Sequence, residues 1–247
     1  MSVLLFIFSV LLGYLLGSLC SAIIVSRMFS LPDPRLEGSK NPGATNVLRL
    51  AGKKYALIVL LFDALKGVIP VLLAKALGAS PTTVAFTCLA AVAGHMFPVF
   101  FQYRGGKGVA TAIGAFLALH FILGVTIIAT WLIVANFTRY SSLGSIVSMC
   151  LAPFYSMLML SNINTFPPLF FIAIFILYKH RNNITRLIDG TEPKIIFKSN
   201  VLAKLTASAR EAKPEIEKSI QTTPKDQEKK EERTKRKKAK KKQEKPD

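Results

Sequence analysis

Three short segments gather the side chains that chemistry needs. GSKNPGATNVLR, over 38–49, sets Ser39, Asn41, Thr45, Asn46 and Arg49 around Pro42 and Gly43. GHMFPVFFQYRGGKGVAT, over 94–111, places Lys107 among Gly105, Gly106 and Gly108. HRNNITRLIDGTE, over 180–192, carries His180, Asn183, Arg186 and Glu192. In the first, Pro42 suits the first turn of a helix and Asn41 or Ser39 its cap. A helix N-terminus with unpaired amides attracts anions, and the forked cation of Arg49 follows, so phosphate is the natural guest. In the second, the glycines permit a tight turn with exposed amides, and Lys107 supplies a mobile positive charge for a phosphoryl group. This is not a Walker A loop: Phe101 stands where its first glycine belongs and Gly108 where Ser or Thr is required. In the third, a helix continuing past Tyr178 puts His180 and Asn183 on one face, with Arg186 nearby. A histidine with a polar neighbour can orient a hydroxyl or accept its proton.

Each segment also has a plainer reading. The first serves as a capped interfacial helix, the second as a helix connector with a cytoplasmic lysine, and the third as a basic helix end among lipid headgroups. What the chain lacks narrows the choice. Of 14 acidic residues, nine fall in 198–247, and upstream stand only Asp33, Glu37, Asp63, Asp189 and Glu192, too few and too scattered for a carboxylate dyad. Cys20, Cys88 and Cys150 lie inside apolar runs and read as small core residues. His95, His120 and His180 stand far apart without metal-binding spacing, so no metal site is expected.

The elements that must position these residues are membrane helices. The chain is 51% hydrophobic, with its apolar residues in runs near membrane-spanning length. The pattern predicts an all-α polytopic fold of about seven transmembrane helices, near 3–26, 55–77, 82–101, 108–122, 123–138, 143–160 and 164–179. The first run has no basic segment before it and exceeds a signal peptide's apolar stretch, which predicts a retained helix. Arg27, Arg35, Lys40, Arg49, Lys53 and Lys54 fill the first loop, Arg104 and Lys107 the third and Arg139 the fifth, while the intervening loops have no Lys or Arg. The positive-inside rule then puts the N-terminus outside, the odd loops in the cytoplasm and the C-terminus inside. With seven spans, all three polar segments meet at the cytoplasmic face.

Residues 1–197 form the expected membrane domain. From Lys198 the apolar content collapses into a Lys, Glu and Gln mixture, expected to be a disordered cytoplasmic tail with no specific nucleic-acid role. Asp63 and Lys66, three apart in the second run, are expensive in lipid and are expected to face the bundle interior or pair. His95, beside Phe97, Phe100, Phe101 and Tyr103, reads as a packing residue. Two other classes compete with an enzyme. A phosphate-ester transporter needs midspan polar residues in several helices, which are scarce here, and no internal repeat is visible. A membrane anchor would act through its basic tail.

The three segments, in this order, resemble the cytoplasmic motifs of the bacterial acyl-phosphate:glycerol-3-phosphate acyltransferase family, PlsY, over the chain from the first span to about Lys194. LPDPR, over 31–35, is similar to the proteobacterial members. The resemblance implies a multi-pass inner-membrane enzyme, with its active site facing the cytoplasm. Its reaction would move a fatty acyl group from acyl phosphate to the sn-1 hydroxyl of glycerol 3-phosphate. The product would be lysophosphatidic acid, for phospholipid synthesis. It implies no cofactor, no metal, no acyl-enzyme and no obligate protein partner. By match of motif, Ser39, Asn41, Thr45, Asn46 and Arg49 hold substrate phosphate together with Gly105, Gly106, Lys107 and Gly108. His180 and Asn183 orient or activate the glycerol hydroxyl, and Glu192 braces the site. The HxxxxD signature of acyl-CoA acyltransferases is absent, since Phe100, Val125 and Thr185 follow the three histidines at that spacing.

Overall fold

The computed structural model describes residues 3–195, and among them every regular element is helical. The tail expected over 198–247 lies outside the described residues. The first apolar run is two helices, α1 (Val3–Gly17) and α2 (Ser21–Met28), bent by 41° at their junction. Such a break frees backbone groups that lipid cannot satisfy. Here the Ser18 hydroxyl donates to the Tyr14 carbonyl at 2.8 Å, and the Lys66 ammonium donates to the Leu19 carbonyl at 2.8 Å.

Helix α3 (Ala44–Ala51) starts later than the sequence suggests. Extended Gly43 is its cap residue, no side chain caps it, and Pro42 stands ahead of the cap instead of in the first turn. Asn46 explains the difference. From inside the helix its amide donates to the Pro34 and Glu37 carbonyls, each at 3.0 Å, and its oxygen accepts the Ser39 N–H at 2.9 Å. The loop is thus organised from within the helix, leaving Ser39 and Asn41 no capping role.

The remaining helices are α4 (Lys53–Ala76), α5 (Pro81–Met96), α6 (Val109–Leu119), α7 (Phe121–Thr138), α8 (Ser141–Met159), α9 (Phe166–Lys179) and α10 (Arg181–Ile188). Helix α5 starts as helices favour, with Pro81 in its first turn and the Ser80 hydroxyl accepting the Thr83 N–H at 3.3 Å. It is the centre of the bundle and packs on α1, α4, α6 and α9. A side chain at Gly17 of α1 would run into the Ala91 carbonyl of α5, so this glycine sets how closely the two helices approach. Cys88, Val92 and Met96 meet Phe116, Ile127, Leu169 and Ile176 in the core. A smaller cluster of Ala22, Val25, Val47 and Val59 seats α3 on α2 and α4. Outward faces stay apolar, as at Leu61 and Phe62 of α4 and Leu132, Ile133 and Phe137 of α7, the pattern of helices that face lipid.

By length and composition α4, α5 with its short extension, α7 and α8 suffice to cross a membrane, and six spans result if each bent pair counts as one. We read α9 as the last span, ending at Lys179, with α10 leaving it at a 60° bend. The expected span near 108–122 is α6, of 11 residues, whose rise of roughly 16 Å is about half of a ~30 Å hydrocarbon core. His120 ends α6 and caps α7, its Nδ1 accepting the Leu123 N–H at 3.3 Å, so a half-length helix turns directly into a full one. Asp63 and Lys66 do face the interior and pair at 2.8 Å.

Candidate active site

The site is built where three loops meet at one end of the bundle. The loop before α6 carries Gly105, Gly106, Lys107 and Gly108. Gly105 lies so close to the His95 carbonyl, and Gly106 to the His95 Nε2, that a methyl group fits at neither, and Gly108 has φ +85°, open to glycine at little cost. The Gly106 amide is not free, as the sequence suggests; it donates to the His95 carbonyl at 3.2 Å. What the turn achieves is placement, because Lys107 is turned inward ahead of the N-terminus of α6. There its ammonium donates to the Asn183 side-chain oxygen at 2.5 Å. Burial pulls the Lys107 ammonium down to about 8; Glu192 pulls it upward, and the charges of Arg186 and Arg49 push further down.

The third segment reaches Lys107 through the end of α9. His180 sits at the bend, and its buried ring places Nδ1 at 2.8 Å from the Ile176 carbonyl. A carbonyl only accepts, so Nδ1 carries the hydrogen and Nε2 is left as an acceptor when the ring is neutral. Burial, then the nearby Lys107 charge, push His180 down to about 4, so it is neutral at pH 7. One turn on, Asn183 shares its face. Its amide donates to Glu192 Oε1 at 2.6 Å, and Arg186 Nε donates to Glu192 Oε2 at 2.7 Å.

Glu192 comes back beneath Asn183 because α10 ends in a glycine-dependent turn. Gly190 has φ +70°, and the N–H of Thr191 returns to the Arg186 carbonyl at 2.8 Å, the six-to-one bond of a Schellman stop. Burial works to raise the Glu192 carboxyl, but hydrogen bonds from its neighbours, Asn183 and Arg186 among them, prevail and hold it below the usual range. The strand of chain beyond is tied down in turn, with the Ile195 N–H donating to the Arg139 carbonyl at 2.7 Å and the Lys194 ammonium 5.5 Å from the Tyr140 ring centre.

The first segment meets the other two at the glycine turn, where the Pro42 carbonyl lies against Gly106. Arg49 is exposed, yet its charge acts on Lys107. Ser39 and Thr45 are also exposed and Asn41 is half-buried. Among the described residues the side chains of Ser39, Asn41, Thr45 and Arg49 make no hydrogen bond or ion pair with one another or with Lys107. The side chain of Asn46, by contrast, is spent on the loop backbone. Two relationships are not foreseen from the sequence. Arg186, placed there near His180 and Asn183, turns out to be the partner of Glu192, a pairing that the scarcity of acids upstream of the tail could have signalled. His95 lies directly behind the glycine turn, and nothing in its neighbouring sequence distinguishes it from a core histidine. Lys179 holds the Met96 carbonyl at 2.8 Å and lies 4.5 Å from the Phe97 ring centre, fixing the end of α9 to the end of α5.

The arrangement offers a half-buried ammonium and two guanidinium groups, together with a neutral imidazole whose free nitrogen accepts hydrogen bonds. Such a set suits anionic substrates and a hydroxyl to be oriented.

Known proteins resemble this chain along most of its length. A family model described as glycerol-3-phosphate acyltransferase matches residues 7–190. A glycerol-3-phosphate acyltransferase of Legionella pneumophila (strain Corby) is 68% identical over 201 residues, 81% of this chain and 73% of its own. One of Methylococcus capsulatus is 50% identical over 183 residues, 74% of this chain and 92% of its own. The crystal structure of PlsY (YgiH), an integral membrane glycerol 3-phosphate acyltransferase in its glycerol 3-phosphate form, superposes with a TM-score of 0.74. It is 39% identical, covering 80% of this chain and 98% of that one. A second form of the same enzyme, with lysophosphatidic acid, gives a TM-score of 0.71 at 39% identity, over 76% of this chain and 94% of that one. This chain, a multi-pass helical membrane protein, therefore belongs to the glycerol-3-phosphate acyltransferase family.

Proposed function

We propose that this protein moves a fatty acyl group from acyl phosphate to the sn-1 hydroxyl of glycerol 3-phosphate, releasing inorganic phosphate and lysophosphatidic acid. Both substrates bring a phosphate, so the site needs converging cations, while the acyl chain needs apolar walls open to lipid. The observation that carries the reading is the bond from Lys107 to Asn183, which joins the glycine turn to the segment holding His180.

The reaction follows from the parts. The glycerol hydroxyl oxygen attacks the acyl carbon, the carbon–oxygen bond to phosphate breaks, and phosphate leaves with the electron pair. Acyl phosphate already has a good leaving group, so neither a serine nucleophile nor a metal is required. His180 Nε2 accepts a hydrogen bond from the hydroxyl and fixes its direction, and the proton passes either to that nitrogen or to the departing phosphate. Lys107 and Arg49, with Ser39, Asn41 and Thr45, face the phosphates, as do the amides at the start of α3 and the turn formed by Gly105, Gly106 and Gly108. Asn46 shapes the first loop, and Glu192 braces Asn183 and Arg186.

We place the enzyme in the bacterial inner membrane, its site on the cytoplasmic side, N-terminus outside and C-terminus inside, counting α6 as a seventh membrane element. That placement rests on the loop charges. Residues 1–197 would carry the catalysis and the tail from 198 would lie in the cytoplasm. Purified protein given labelled glycerol 3-phosphate and acyl phosphate is expected to form labelled lysophosphatidic acid. Vesicle uptake of glycerol 3-phosphate without product would replace this reading with transport.

A further inference from the structure

Behind the glycine turn, one buried cluster ties together three helices and the break between α1 and α2. Asp63 of α4 pairs with Lys66 at 2.8 Å, and the same carboxylate oxygen stands 3.4 Å from His95 Nδ1 of α5. The Thr111 hydroxyl of α6 lies 3.2 Å from that ring nitrogen, and Lys66 reaches back to the Leu19 carbonyl at the break between α1 and α2. Asp63, Lys66, His95 and Thr111 are each at most 6% exposed. Four charged or polar side chains held in one place inside a bilayer cost too much to be kept for packing alone.

The opposite edge of the imidazole does not point into the core. A β-carbon placed on Gly106 would collide with His95 Nε2, which leaves no room for a methyl group, and the His95 carbonyl accepts the Gly106 N–H at 3.2 Å. The same carbonyl closes off Gly105. The turn that aims Lys107 at Asn183 therefore rests, by ring and by backbone, on one histidine whose other side is gripped by Asp63 and Thr111. The Pro42 carbonyl of the first loop would lie 3.0 Å from the same β-carbon, so that loop and His95 both crowd Gly106.

We propose that His95 is a positioning residue for the acyl transfer: braced by Asp63 and Thr111, it sets the height of the Gly105–Gly106 turn and so the direction in which Lys107 meets substrate phosphate. The inference rests on the acyltransferase reading above, with Lys107 as a phosphate-holding group. A misplacement near 1 Å of such a group can cost about a hundredfold in rate.

The test is a double-mutant cycle on kcat/KM for glycerol 3-phosphate, with unfolding midpoints in detergent measured alongside. Gly106→Ala alone drives its methyl into the ring and is expected to lose about a hundredfold. In a His95→Ala background, itself reduced about tenfold, the same methyl finds space and is expected to cost less than about threefold. Uniform destabilisation would give independent losses, so additivity in an active, folded series overturns the inference. If His95→Ala does not purify folded, His95→Ser carries the same cycle with the same two outcomes. Failure of the unmutated protein to transfer an acyl group overturns the functional reading and this inference with it, whereas additivity overturns the inference alone.

Discussion

Lys107 donates to the side-chain oxygen of Asn183 at 2.5 Å, joining residues 76 positions apart in the chain. The bond spans the second and third polar segments and brings them together. It also carries a pH dependence. Burial pulls the ammonium down to about 8, so in the free enzyme Lys107 is charged below that pH and neutral above it. We predict that kcat/KM falls as pH rises through about 8. In Lys107→Arg, whose guanidinium stays protonated, whatever activity survives should lack that alkaline limb. A pH–rate profile of both proteins measures this; an unchanged limb in Lys107→Arg assigns it to another group.

His180 gives the opposite end of the pH scale. Its folded value of about 4 lies below the ordinary histidine value, so between the two the unfolded chain binds a proton that the folded one refuses. Stability therefore declines as pH falls from about 6.5 towards 4, by about 3 kcal/mol in all. Unfolding midpoints across that range should drop, and more steeply than in His180→Gln. In the proposed reaction the ring, neutral at pH 7, offers Nε2 to the hydroxyl, and His180→Gln is predicted to lower kcat by ~100-fold to ~10,000-fold.

Glu192 separates bracing from chemistry. Glu192→Ala leaves the Asn183 amide and Arg186 without their acceptor, at a cost of about 1–3 kcal/mol. Both the unfolding midpoint and kcat are expected to fall. Glu192→Gln keeps an oxygen for Asn183 and should retain more of the midpoint than Glu192→Ala does. Equal midpoints for the two variants would contradict the bracing role.

Much of this arrangement is legible in the sequence, for reasons particular residues show. Long apolar runs dictate membrane helices, and loop glycines, prolines and cations mark the polar segments. The pairing of Asp63 with Lys66 follows because neither charge is tolerated alone in lipid. What escaped reading depends on tertiary contact. The break at Ser18–Cys20 is possible because Lys66 arrives from another helix to satisfy the Leu19 carbonyl. The start of α3 is set by Asn46 reaching back to Pro34 and Glu37, a competition local capping preference does not register. The short α6 cannot be told from a full span by hydropathy, because it runs into α7 with only His120 between. His95 is read as core because its partners, Asp63 and Gly106, come from other segments.

The central claim is that three segments distant in sequence form one cationic site for two phosphorylated substrates. Its most direct test is steady-state turnover of acyl phosphate and glycerol 3-phosphate by purified Arg49→Ala, Lys107→Ala and His180→Ala, each checked for folding in detergent. Exposed Arg49 should leave the unfolding midpoint nearly unchanged, within about 0.5 kcal/mol of stability. The account predicts that every variant stays folded and loses about a hundredfold or more in kcat/KM. Full turnover by any one of them would remove its segment from the site and contradict the account.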